Sequence, residues 1–202
     1  MPTDESVSID ASETQAEKPL RADARRNRAR VLDVAQEMFI AKGMAVPIDA
    51  IAERAGVGVG TVYRHFPTKE ALFQAIMTRR IEQVVAKARA RADTPDAGAA
   101  FFGFFTEMVE QIESSKGLHD ALTEAGIKLD AAIGDLGQQL MVALDVLLDR
   151  AKRAGAVRTD ISVVEVKALM TGLSLMIKQG GDPRLTLDVV LAGLRPQPAP
   201  AG

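Results

Sequence analysis

Between Gly58 and Lys69 the chain reads GVGTVYRHFPTK, which places a hydroxyl, a phenol, a guanidinium, an imidazole and an ammonium within a few turns of backbone. These groups are hydrogen-bond donors suited to phosphate oxygens and base edges, and no acid–base–nucleophile set accompanies them. If the stretch is helical, Val59, Val62 and Phe66 are expected to face a core. At 100° per residue that leaves Gly60, Thr61, Arg64 and His65 on the outward arc, with Gly58 at the start and Tyr63 at one margin. Gly60 permits close approach of another backbone. Thr61 offers both a hydroxyl and a methyl, suiting a phosphate or a thymine edge, while Tyr63 and His65 can donate to phosphates.

Lys69 falls in the first turn of the next helix, where the macrodipole disfavours a cation by roughly 0.3 to 1 kcal/mol. A phosphate at that position reverses the sign, because free N–H groups and the ammonium then bind the same anion. Neutralisation by Glu70 is the plainer alternative.

Helices must position these groups. Val31, Leu32, Ala35, Met38 and Phe39 recur at helical spacing between Ala22 and Lys42, with Gly43 placed as a stop. Pro47 suits a first helical position, and Ile48, Ile51, Ala52 and Ala55 mark a short second helix ended by Gly56. A third follows after a tight turn, so residues 48–66 read as a helix-turn-helix, which presents its second helix to the DNA major groove. Thr68 is a good N-cap for a long helix to about Arg91, and Thr94-Pro95 is expected to open the next. A shorter segment is expected from Leu118 to Glu124. A long helix with Leu136, Leu140, Leu144, Leu147 and Leu148 in one stripe then ends at Gly155. Ser162 and Glu165 form a capping box, Gly180 to Pro183 is a break, and Leu185 to Leu194 is a last helix. No strand pattern or phosphate loop appears, so the fold class is all-α.

Residues 1–20 are polar and acidic and are expected to form a disordered arm, residues 21–68 the helix-turn-helix module, 69–195 a helical body and 196–202 a tail. Net charge is only −2, yet residues 18–80 carry twelve Lys/Arg against six Asp/Glu, which points to a polyanion partner for that module alone. The cluster Lys18, Arg21, Arg25, Arg26, Arg28 and Arg30 reads either as an arm reaching DNA or as a solubilising helix start. The absence of cysteine excludes disulfides, thiolate metal sites and a cysteine nucleophile, and two histidines make a multi-histidine metal site unexpected. No cofactor is implied. No apolar run is long enough to span a membrane and the N-terminus lacks a signal-peptide pattern, so the chain is expected to be cytoplasmic.

The order AGVGVGTVYRHFPTKEALF, preceded by an amphipathic helix and followed by a helical body, resembles the TetR family of bacterial transcriptional regulators. AKRAGAVRTDIS before a helix is similar to an element of their C-terminal domains. The resemblance implies a three-helix DNA-binding module and a C-terminal domain that binds a ligand and dimerises. Thr61, Tyr63, His65 and Lys69 match positions that contact DNA, mostly its backbone, and Gly58 matches a position where the chain passes near it. Arg64 sits at a more variable position. Where the family often has a hydroxyl residue opening helix two, this chain has Pro47-Ile48. The implied partners are double-stranded DNA carrying a pseudo-palindromic operator, a small-molecule effector and a second copy of the chain. The implied function is a repressor released by its effector. A nucleoid-organising or interaction protein of the same fold is the alternative, and an enzyme finds no catalytic constellation.

In the body, the stripe from Leu136 to Ala151 and the helix carrying Ala168, Leu169, Gly172, Leu175 and Met176 are expected to pack the dimer, the alternative being burial within the chain. Gly172 in mid-helix costs about 1 kcal/mol relative to alanine, which close helix approach would explain. Phe101, Phe105 and Met108 are candidates to line an apolar pocket, with His119 and Gln138 as polar handles, or else plain core.

Overall fold

The computed structural model describes residues 11–114, 118, 126 and 129–196. Among them are eight helices: α1 (Ala11–Lys42), α2 (Ile48–Ala55), α3 (Val59–His65), α4 (Lys69–Ala92), α5 (Ala97–Ser114), α6 (Leu129–Arg153), α7 (Val163–Lys178) and α8 (Pro183–Leu194), with a 3-10 turn at Gly43–Ala45. The described residues contain no strand.

Helix α1 begins at Ala11, within the segment expected to be an arm; residues 1–10 of that arm lie outside the described residues. Ala, Glu, Gln and Lys dominate Ala11–Lys18, and their intrinsic propensity supports a helix without an apolar stripe. A search for periodicity is blind to such a segment.

Two cores organise the chain. In the first, Leu32, Ala35 and Phe39 of α1 meet Ile51 and Ala52 of α2, Val62 and Phe66 at the end of α3, and Leu72, Phe73 and Ile76 of α4. The expected module boundary at residue 68 marks the cap of α4, but the first two turns of that helix pack in the first core. Leu118, nearly 50 residues away in sequence from α4's first core residues, is buried in the same cluster. The rest of the expected helix from Leu118 to Glu124, His119 included, lies outside the described residues.

The second core gathers Val84 and Ala88 of α4, Phe101, Phe104 and Phe105 of α5, Leu144, Leu147 and Leu148 of α6, and Val166, Met170 and Leu173 of α7. Helix α4 thus belongs to both cores. The α6 stripe expected at a dimer interface is instead internal: Leu147, Leu148 and Ala151 are fully buried within the chain. Exposed apolar side chains lie off this stripe, at Val142 and Val146 on the opposite face of α6, at Val164, Leu175 and Met176 of α7 and at Leu185 and Val189 of α8.

Caps fix most of the boundaries. The Thr68 hydroxyl accepts from the Ala71 N–H at 3.1 Å, and Ser162 with Glu165 completes the capping box. At α5 the cap is Asp96, not Thr94: its carboxylate accepts from the Ala99 N–H at 2.8 Å. Thr94 turns back and donates to the Arg91 carbonyl at 2.8 Å, closing α4 rather than opening α5. The ionised carboxylate suits the positive end of α5, and a hydroxyl suits a spare carbonyl. Arg150 of α6 adds a hydrogen bond to the Thr94 carbonyl at 2.7 Å.

Between α4 and α5, Glu107 accepts from Lys87 and, at 2.8 Å, from Arg91. Arg91 lies over Gly103, where a Cβ would come within 2.6 Å of its guanidinium. The Lys87 hydrogen bond, with the charges of Lys87 and Arg91, holds the Glu107 carboxyl below its ordinary value of 4.5 against the opposing effect of burial. The folded state therefore favours the ionised form, and this contribution is complete above pH 4.5 and lost as pH falls through the lower folded value. In thermal melts, Glu107→Gln is expected to lose less stability than the wild type on acidification; equal acid sensitivity of the two proteins would show that the carboxylate contributes nothing.

Candidate nucleic-acid interface

The recognition geometry starts at the end of α2. Gly56 takes a left-handed conformation (φ 65°), and its N–H and that of Val57 close on the carbonyls of Glu53 and Ala52 at 3.0 Å each. This is the pairing of a Schellman stop, which favours glycine at that residue. The chain turns through Val57 and Gly58 into α3, a helix of under two turns pinned by Val62 and Phe66, both buried.

Gly58, Gly60, Tyr63, Arg64 and His65 are exposed, as the outward arc requires, and Thr61 is half-buried with its hydroxyl beside Gly58. A Cβ built on Gly60 would meet nothing within 4 Å, so its surface is open. Val59 departs from expectation. Its spacing to Val62 predicts a core position, but it is 37% exposed. The angle is right and the depth is wrong: α3 is so short that its first turn projects past the edge of the core.

Lys69 is neither free nor neutralised by Glu70. Its Nζ donates to the Met44 carbonyl at 2.8 Å, tying the first turn of α4 to the 3-10 turn before α2. An ammonium has three donors, so two remain, and the bonded carbonyl is neutral and leaves the charge intact. Glu70 is held below its ordinary range first by a backbone hydrogen bond and then by the Thr68 hydroxyl, with the Lys69 charge the smallest cause. The acid thus serves the helix end.

The basic side chains of α1 divide by role. Arg28 lies over the Phe66 ring at 5.2 Å, Arg26 pairs with Asp23, and Arg30 reaches towards the Ala55 carbonyl at 3.5 Å. Arg25 is exposed. Arg28, itself exposed, thus touches the ring at the end of α3, a contact that charge counting did not reveal. The side chains of Lys18 and Arg21 lie outside the described residues. Arg79 of α4 bridges to Asp33 at 2.7 Å and to the Ala29 carbonyl at 3.3 Å, fixing α1 on α4. Pro47 opens α2 with no side-chain cap, as its missing hydroxyl dictates.

The candidate ligand residues do not converge. Phe101 and Phe105 are fully buried in the second core and Met108 packs at its margin. Gln138 lies apart from them, in an open groove of about 450 Å³ between α4 and α6 that Arg89, Ala92, Val142 and Val146 also line. Sequence reasoning missed this groove because its apolar floor, Val142 and Val146, occupies the face of α6 opposite the long leucine stripe. No group of residues able to hold a metal ion is found among the described residues, and no helix among them is long and apolar enough to cross a membrane.

Comparison with known proteins agrees with this geometry. Residues 31–76 match the description "Bacterial regulatory proteins, tetR family", and residues 96–196 match "Transcriptional regulator SbtR-like, C-terminal domain". The chain is similar to the HTH-type transcriptional repressor KstR of Mycobacterium tuberculosis, with 32% identity over 146 residues that cover 69% of this chain and 65% of that protein. It thus spans just under two thirds of KstR's length. The crystal structure of a TetR transcription regulatory protein from Mycobacterium vanbaalenii superposes with a TM-score of 0.74 at 44% identity, covering 88% of this chain and all of that one. The TetR regulator SCO0520 of Streptomyces coelicolor gives 0.68 at 30% identity, covering 85% and 99%. With both of its domains matched and a solved relative covered from end to end, the chain belongs to the TetR family of bacterial transcriptional regulators.

Proposed function

We propose that the chain is a cytoplasmic repressor that binds a pseudo-palindromic operator as a homodimer and leaves it when a small molecule binds the helical body. The observation that carries this reading is the arc of α3, where Tyr63, Arg64 and His65 stand exposed together beside open glycine backbone while Val62 and Phe66 lock the helix from beneath. Lys69 and Tyr63 serve the phosphate backbone, Thr61 and Arg64 face the bases, and Arg25 lies near the minor groove. The exposed apolar faces of α7 and α8 support pairing with a second copy. The groove between α4 and α6 supports effector binding, since its volume falls within the range of small-molecule sites and it borders the helix shared by both cores.

Footprinting of genomic DNA with the purified protein tests the reading. Two symmetric half-sites are expected, with centres roughly one helical turn, about 34 to 36 Å, apart or a multiple of it. A protein that protects no sequence is not an operator-binding regulator, and a footprint that no metabolite relieves removes the effector from the proposal. Lys69→Ala and Tyr63→Phe are each expected to weaken binding to all sequences alike and, for the lysine, to lower the log-log salt slope by about 1. Titrations at several salt concentrations check this, and an unchanged slope with full affinity would remove Lys69 from the interface.

A further inference from the structure

From its place on α3, we infer that Val59 selects a thymine in each operator half-site by packing its isopropyl group against the thymine 5-methyl; the inference rests on the DNA-binding reading above. Among the described residues before α5, the exposed large hydrophobic side chains are Val59, at 37%, and Tyr63, at 47%. They stand four positions apart, one turn of α3, so they share the margin between the core and the outward arc, and Val59 is the first residue of α3, the end of a recognition helix that contacts base edges. The rest of that surface is glycine or hydrogen-bonding.

The surroundings of Val59 leave it available. Gly58 and Gly60 flank it without side chains, and nothing lies within 4 Å of the place where a Gly60 Cβ would be. The backbone at Val59 can therefore enter a groove more deeply than it could between larger neighbours. A β-branched side chain in a helix holds essentially one rotamer, so little side-chain entropy is lost when it is fixed against a base. In the major groove the polar groups on the base edges are hydrogen-bond donors and acceptors, and the largest apolar group on offer is the thymine methyl, which far exceeds the cytosine C5–H in area. An aliphatic side chain that reaches this groove gains by meeting that methyl and loses by covering a donor or acceptor, and this difference is what creates specificity.

The test uses duplexes selected from a random-sequence pool by the purified full-length chain. Each thymine of one half-site, with its symmetry mate, is replaced by uracil, which removes the 5-methyl and nothing else. A buried methyl is worth roughly 0.8 kcal/mol, so at one position per half-site the wild type is expected to lose about fourfold in affinity for each methyl removed. Val59→Ala should bind the thymine duplex more weakly and should no longer distinguish it from the uracil duplex, whereas Val59→Ile should keep the preference. Indifference of the wild type to uracil at every position overturns the inference without requiring any variant to fold. A Val59→Ala protein that still prefers thymine overturns it as well. If the pool yields no enriched sequence, the DNA-binding reading falls and this inference with it; an enriched sequence whose methyls do not matter removes this inference alone.

Discussion

Leu175→Arg is expected to turn a dimer into monomers at micromolar concentration and to abolish operator binding while each chain stays folded. Leu175 is 56% exposed on α7, so arginine there leaves both cores of the chain untouched. Successive α7 residues Val164, Ala168, Gly172 and Leu175 fall along one face, and Leu185 and Val189 of α8 extend the apolar surface. A Cβ on Gly172 would meet nothing, so within one chain this glycine answers no steric demand. Its absent side chain instead suits the close approach of a helix from a second copy. Burying an unpaired charge costs roughly 3 to 5 kcal/mol, and two-fold symmetry counts it twice, so the dissociation constant should rise by at least about 10⁴. Sedimentation measures this directly. Val146→Arg, on the α6 face away from these helices, should leave the dimer intact. The opposite pair of results would place the interface on α6.

Phe105→Ala is expected to destabilise the protein by about 3 to 5 kcal/mol. Phe105 is fully buried, with its ring centroid 6.3 Å from that of Phe101. For a chain of this size the loss lowers the melting temperature by roughly 6 to 20 °C. A ligand-lining role would give a different signature: an unchanged melt together with altered release from DNA. Thermal melts with and without candidate effectors separate the two. Val142→Phe in the groove between α4 and α6 is the matching variant, expected to leave the melt near that of the wild type because Val142 is 58% exposed.

Hydrophobic stripes explain both what was legible in the sequence and what was not. The stripe in α6 and the one in α7 and α8 look alike as patterns, and each says only that a face must be covered. Neither says whether the cover comes from the same chain. The α6 stripe is covered by α4 and α5 and the other is not, a distinction that only the packed structure draws. The helix-turn-helix was readable because Ile48, Ile51, Ala52 and Ala55 bury one side of a helix of eight residues that a glycine must end. Val59 was misplaced because periodicity gives an angle around the helix axis and says nothing about where the neighbouring helices stop. Thr94 and Asp96 are both good caps two residues apart; Thr94 instead turns to the Arg91 carbonyl three positions back and is held by Arg150, 56 positions away. The tie from Lys69 to Met44 spans 25 positions and leaves no local signature.

Helix α4 is continuous through both cores, and that continuity makes it a rigid arm. With 24 residues rising 1.5 Å each it is about 36 Å long. Its far end is clamped, with Arg150 on the Thr94 carbonyl and Arg91 on Glu107, while its near end is packed into the module that carries α3. Tilting such an arm by about 5° about its clamped end sweeps the near end through about 3 Å, and two arms related by a two-fold axis change their separation by up to about 6 Å. Successive major grooves lie about 34 to 36 Å apart and do not stretch to follow. A displacement of sub-ångström size where the arm is clamped is therefore multiplied along its length, and the mechanical gain is set by the number of residues in one uninterrupted helix.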